Sequence, residues 1–275
     1  MTPTPMEQPA SVHIVCYTDP LCSWSWASEP QWRRLRWEFG DQVQWTYRMA
    51  GMLPDWHTYE DPINSVGRPA QMGPLWFQVR HTTGMPINER IWYADPPGSS
   101  FPACIAVKAA ERQGAAAGEQ YLRRLREAVM LEGRNIARQD ILLAIAREQS
   151  ASHAETLDFA QFTGDLAGPD AVEAFRADVQ DAAYRGIGRF PTLILHGSQP
   201  QNVMVTGYRL YAMLLEALAA AAPDLAPLRT GPTAEAYATY WGRITPRELA
   251  EAMEVPVDEA ARQLYALQTQ TLQTE

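Results

Sequence analysis

A strand that ends in a cysteine-bearing turn constrains this chain more than any other feature. Val12–Tyr17 sets Val12, Ile14 and Cys16 against His13, Val15 and Tyr17, the alternation of a buried strand. The stretch Tyr17-Thr18-Asp19-Pro20-Leu21-Cys22-Ser23-Trp24-Ser25-Trp26 then turns at Asp-Pro and delivers Cys22 to the start of a helix running to about Phe39. Gly40-Asp41 ends that helix, and Val43–Met49 alternates again in strand-forming residues. A strand–helix–strand unit of this length predicts a parallel pair with a right-handed crossover. At the helix start, the positive end of the dipole favours thiolate over thiol, so Cys22 is expected to be exposed and to ionise more readily than a free thiol.

From Ala50 to about Pro97 the chain is rich in Pro, Gly and Trp and reads as a long loop, too aromatic to be idle linker. Five helical stretches follow: Phe101–Gln113, Glu119–Glu132, Gln139–Gln149, Glu155–Thr163 and Pro169–Arg185. Strand character returns in Thr192–Leu195 and Val203–Val205, joined as a hairpin, and Tyr211–Ala222 closes the unit as a helix. The Ala/Pro-rich Ala221–Pro232 is a connector. Beyond it, Thr245-Pro246-Arg247-Glu248 forms a capping box, and a further helix follows Pro256. Two such helices could suggest a DNA-reading pair, but residues 233–275 hold three arginines against seven acids. A helical extension or a homodimer contact fits that charge better.

With 275 residues the chain can bury a large core. Its net charge of −9 argues against nucleic acid and anionic membranes as partners. Met1–Ala10 lacks a basic region followed by an apolar one, and so reads as a loose tail without a secretory signal. No apolar run is long enough to span a bilayer, and the expected location is the cytoplasm. Three cysteines (Cys16, Cys22, Cys104) and five scattered histidines fit neither a disulfide framework nor a metal cluster. No metal is expected.

A second signature, Gly186-Ile187-Gly188-Arg189-Phe190-Pro191-Thr192, lies directly before a strand, where proline is tolerated because the first residue need not donate to the ladder. Taken with Asp19-Pro20-Leu21-Cys22-Ser23-Trp24-Ser25-Trp26, Pro96-Pro97-Gly98-Ser99-Ser100-Phe101-Pro102-Ala103-Cys104 and Glu132-Gly133-Arg134-Asn135-Ile136, it resembles the DsbA family of the thioredoxin-like superfamily. The nearest likeness is to the cytoplasmic FrnE-like, or dithiol-disulfide isomerase-like, branch, over roughly Ser11 to Ala222. The resemblance implies an α/β thioredoxin-like fold with an inserted all-helical domain and a short C-terminal helical extension. Residues 11–49 and 186–222 would be the two halves of the thioredoxin-like domain, 50–185 the loop and helical insertion, and 233–275 the extension. It further implies that Cys22 is the attacking cysteine, with Pro191 in cis beside it. Phe190, Pro191, Trp24 and Trp26 would line the substrate site.

Family oxidoreductases use two cysteines, whereas here Ser25 stands in the second position and cannot resolve a mixed disulfide. The leading expectation is a cytoplasmic thiol–disulfide oxidoreductase or isomerase acting through Cys22 alone, with Ser25 tuning the thiolate. Its partners would be protein or small-molecule thiols and disulfides. It would need no cofactor, and glutathione or another low-molecular-weight thiol is the candidate co-substrate. Cys104 is the candidate distal redox partner; as a plain core residue it would have no such role. Two alternatives stay open. One is a glutathione-dependent isomerase or transferase of kappa-like architecture, whose members usually carry Ser where Cys22 stands. The other is a non-catalytic adaptor, like the DsbA-like proteins that deliver a transcription regulator to a AAA+ protease.

Overall fold

The structure, a computed structural model, describes residues 12–62, 64–153 and 155–271. The Met1–Ala10 tail, Ser11 and the last four residues lie outside the described residues. Four strands, β1 (Val12–Thr18), β2 (Val43–Met49), β3 (Thr192–His196) and β4 (Val203–Thr206), form one sheet in the order β2-β1-β3-β4. The two central strands are the most apolar: Val12, Ile14 and Cys16 of β1 and Thr192–Leu195 of β3 are all buried. This is the α/β thioredoxin-like fold.

The helix expected from Cys22 to Phe39 is two helices, α1 (Ser23–Ala27) and α2 (Glu29–Phe39). Pro30 sits in the first turn of α2, where its missing N–H breaks the ladder at Ser28. Two helices also lie inside the segment read as loop, α3 (Met72–Thr83) and the single turn α4 (Ile91–Ala94). The insertion continues with α5 (Phe101–Glu111), α6 (Ala115–Met130), α7 (Gln139–Ser152), α8 (Phe159–Ala167) and α9 (Pro169–Tyr184). α8 starts later than its apolar pattern suggested because Asp158 caps it, accepting from the Gln161 amide at 2.6 Å. Then come α10 (Tyr211–Ala221), α11 (Ala234–Trp241), α12 (Pro246–Met253) and α13 (Val257–Thr271). No helix of the described residues is long and apolar enough to cross a membrane.

The chain forms two compact units. One comprises residues 12–16, 28–46 and 193–271. Its α2 carries the C-terminal helices: Trp37 meets Tyr237 and Tyr240 edge-on (ring centroids 5.8 and 5.3 Å apart) and clusters with Leu249, Ala250, Ala252 and Ala260. Arg33 adds a buried ion pair to Glu248 at 3.3 Å. The other unit comprises residues 17–27 and 47–192 and holds the Cys22 turn together with α3–α9. α5 lies at its centre, packed against α6, α8 and α9. At Gly51, with φ +65°, the rings of Phe101 and Phe175 press so close that a side chain there would strike both.

Candidate functional site

The site is built where β1 ends. Asp19 is fully buried and acts as its strut: Oδ1 accepts from the Leu21 amide at 2.8 Å, while Oδ2 accepts from the Met52 amide and the Ser100 hydroxyl, each at 2.7 Å, and from the Cys104 thiol at 3.5 Å. The Cys22 amide donates to the Asp19 carbonyl at 3.1 Å, which fixes the cysteine at the head of α1. Burial pushes the Asp19 carboxyl up, and its four donors oppose that.

Cys22 Sγ lies 3.5 Å from the Phe190 carbonyl oxygen, to which its thiol donates, and accepts from the Ser25 amide at 3.4 Å. The Phe190–Pro191 bond is cis, Pro191 is buried and Phe190 half-buried. Cys22, Ser25, Phe190 and Pro191 therefore meet at one point. The Ser25 hydroxyl, fully buried, favours the thiolate as well, although no complete hydrogen bond closes on its oxygen.

The expectation of an exposed, easily ionised thiol does not hold. Cys22 is only 3% exposed, and burial pushes its thiol above the ordinary cysteine range. The Ser25 contacts and the cation of Arg126 pull it back, Asp19 pushes it further up, and loss of water outweighs them all. α1 has one turn only and so offers a weak dipole.

Trp26, expected to line the substrate site, is fully buried instead; its indole N–H donates to the Pro86 carbonyl at 2.9 Å and its ring lies 4.5 Å beneath the Arg123 guanidinium. Trp24 is half-buried and is the ring of the pair that solvent reaches. Cys104 is fully buried, its thiol is engaged with Asp19, and it stands well above the ordinary thiol range, first through burial and then through that carboxylate. None of the three cysteines is in a disulfide, and Cys16 is core.

Three groups escaped the sequence reading. Asp19 passed as a turn former, although an acid directly after an apolar strand is a signal. Arg126 on α6 is fully buried and donates to Thr18 Oγ1 at 2.5 Å. It occupies the apolar stripe Leu122-Leu125-Val129, where a charge is out of pattern. Burial and then the Asp61 carboxylate push the Tyr59 phenol up to about 12, and Tyr59 stands close enough to Cys22 and Asp19 for their charges to add to that. The Glu132–Ile136 motif is structural: Asn135 Nδ2 donates to Asp95 at 2.9 Å, tying the turn after α6 to the approach to α5.

A family model described as Thioredoxin matches residues 15–216. The ClpXP adapter protein SpxH of Shouchella clausii is 30% identical over 271 residues, covering 97% of this chain and 85% of that protein. Its namesake from Halalkalibacterium halodurans is 29% identical over 261 residues, 93% of this chain and 82% of the relative. Among solved structures, the cytosolic disulfide reductase DsbM from Pseudomonas aeruginosa superposes with a TM-score of 0.55 at 20% identity, covering 70% of this chain and 88% of that one. That last likeness is one of fold.

Proposed function

The chain belongs to the thioredoxin family, and from that premise we propose that it is a docking protein, an adapter that brings a client protein to a AAA+ protease of the ClpXP kind. The observation that carries this reading is the extent of the likeness to proteins named ClpXP adapters. It runs over 97% of the chain, past the matched residues 15–216 and into the C-terminal helices, which thiol chemistry at Cys22 does not require. The site agrees with it. A single buried thiol, held protonated near neutral pH and lacking a resolving partner at Ser25, is poorly placed for turnover. Such an adapter works in the cytoplasm. The test is binding of the purified chain to purified ClpXP by biolayer interferometry. Saturable binding, equal for wild type and Cys22→Ala, is expected; no binding, or binding lost with Cys22→Ala, defeats the reading.

A second reading, monothiol exchange, is favoured by the convergence of the Ser25 amide, Cys22 Sγ and Phe190-Pro191. Cys22 would lose its proton to solvent, attack one sulfur of oxidised glutathione and release the other half as glutathione thiolate, leaving a mixed disulfide on the protein. A second glutathione thiolate would reverse the step, since Ser25 cannot. Intact mass after incubation with oxidised glutathione tests this: one adduct, absent in Cys22→Ala, supports exchange, and no adduct removes it. A glutathione-dependent isomerase or transferase ranks behind both, because Cys22 stands where those enzymes usually place serine.

A further inference from the structure

The segment from Asn64 to Ala94 has an outward face that the Cys22 site does not use. α3 buries Met72, Trp76, Val79 and Thr83 and leaves Phe77 51% exposed; α4 buries Ile91 and Trp92 and leaves Tyr93 60% exposed. These are large aromatic side chains to hold in water. The 3-10 turn Pro69–Gln71 packs against both helices, and Arg68 directly precedes it, its carbonyl accepting from the Gln71 amide at 3.1 Å.

Its geometry is fixed from behind. Trp76 and Trp92, fully buried, meet edge-on with ring centroids 5.1 Å apart, and each immediately precedes one of the exposed rings. The Tyr93 phenol lies against Gly73, where any Cβ would collide with it. Phe77 follows Gly73 by one turn on the same side of α3, and a helical side chain leans back over the turn before it. Tyr93 and Phe77 thus stand on the same side of α3. The Arg80 guanidinium stands 5.1 Å from the Phe77 ring, and the His81 ring lies parallel to it at 6.4 Å.

The charge of this face runs against that of the chain. Between Asn64 and Ala94 stand three arginines and one acid, Glu89, in a protein of net charge −9. Glu89 is taken by Arg80 at 3.0 Å. Arg68 and Arg90 are exposed and make no ion pair among the described residues. Two exposed guanidinium groups in the same segment as two fixed, half-exposed aromatic rings have the composition of an interface centre.

We propose that this face, Phe77 and Tyr93 flanked by Arg68 and Arg90, is a docking surface for an acidic peptide segment of a partner protein that also carries an apolar side chain. The apolar residue covers the two rings while neighbouring carboxylates pair with the arginines. RNA or an anionic membrane would extend past the two cations into the field of a chain with nine excess negative charges, whereas a short acidic peptide would not. As the client-binding surface of an adapter, this face rests on the docking reading above; as a peptide site it can be tested alone.

The test uses the full chain and a fluorescein-labelled peptide in which Asp and Glu residues flank a central Leu-Phe pair, followed by anisotropy at two salt concentrations. Salt-sensitive binding is expected. It should weaken about tenfold or more in Phe77→Ala/Tyr93→Ala and about as much in Arg68→Glu/Arg90→Glu, and be absent for a peptide with Lys at the acidic positions. All four side chains are solvent-exposed, and should the aromatic double variant melt early, the charge-reversed pair decides. No binding by wild type, equal binding by the variants or by the Lys peptide, or preference for RNA or phosphatidylglycerol vesicles would overturn the proposal. Binding of the same proteins to ClpXP separates the two ideas. If ClpXP binds but the acidic peptide does not, this surface falls and the adapter reading stands; if the peptide binds here but ClpXP does not, the surface stands and the adapter reading falls.

Discussion

The Cys104 thiol donates to Asp19 Oδ2 at 3.5 Å, so the third cysteine is committed to holding a buried carboxylate. Asp19 also holds the amides of Leu21 and Met52 and the Ser100 hydroxyl, joining the Cys22 turn, the chain after β2 and the head of α5. Asp19→Asn keeps one acceptor and sets an amide group against the remaining donors, which should cost about 2–3 kcal/mol. Cys104→Ala removes one weak donor and a small buried volume, about 1 kcal/mol. Urea unfolding of both variants checks the order; a larger loss for Cys104→Ala would show that Asp19 is not the strut.

Because burial raises the Cys22 thiol, native protein at neutral pH should react with iodoacetamide more slowly than free cysteine, and urea should abolish the difference. Stability follows the same shift. Below the unfolded thiol's pKa, about 8.5, both states keep the proton and the contribution is fully present. Above it, the unfolded chain releases protons that the folded chain retains at Cys22 and Cys104, so stability falls as pH rises towards the folded values. The melting temperature should therefore drop from pH 8 to pH 10 by more in wild type than in Cys22→Ala. Equal slopes, or fast alkylation of the native protein at pH 7, would place the thiol at or below its ordinary range.

The sheet was legible because β1 and β2 alternate, β3 centres on the apolar run Leu193-Ile194-Leu195, and Gly and Pro mark the turns. The capping box at Thr245 and Glu248 was legible for a similar reason, since its chemistry is local: Glu248 N donates to Thr245 Oγ1 at 3.2 Å and Thr245 N to Glu248 at 2.7 Å. α3 was not legible. Its Gly, Pro and Thr residues are poor helix formers, and tertiary burial of Met72, Trp76 and Val79 overrides them. The meeting of Cys22, Ser25, Phe190 and Pro191 could be expected from two motifs far apart in the chain. The ionisation of Cys22 could not, because motif position carries the local dipole and amide while the cost of lost water depends on packing that no motif records.

Lys108, the only lysine in the chain, sits at 7% side-chain exposure between Asp178 at 3.1 Å and Glu111, and Asp178 also accepts from Arg48 at 2.7 Å and the Met49 amide at 3.0 Å. Asp178→Ala would leave a buried ammonium beside an unanswered amide and should cost about 3–5 kcal/mol. Lys108→Met leaves Asp178 with Arg48 and Met49 and should cost much less. Calorimetric melting of the two variants tests the asymmetry, which vanishes if Lys108 rather than Asp178 is the centre of the cluster.

The pair Arg33–Glu248 makes the corresponding claim for the C-terminal helices. Glu248 closes the capping box of α12 and reaches Arg33 of α2 at 3.3 Å, both side chains being buried, while Arg33 also faces Glu29 at 3.5 Å. Thr245→Ala removes only the cap and should cost about 1 kcal/mol. Glu248→Ala removes the carboxylate half of the capping box and the counter-ion together and leaves Arg33 buried with Glu29 and the Arg243 carbonyl, so its cost should approach about 3 kcal/mol. That loss should appear first as proteolytic cleavage between α11 and α12, with the near-ultraviolet signal of the remaining aromatic residues largely kept. If Glu248→Ala costs no more than Thr245→Ala, the buried pair contributes nothing, and α12 is held to α2 by the Trp37, Leu249 and Ala250 packing alone.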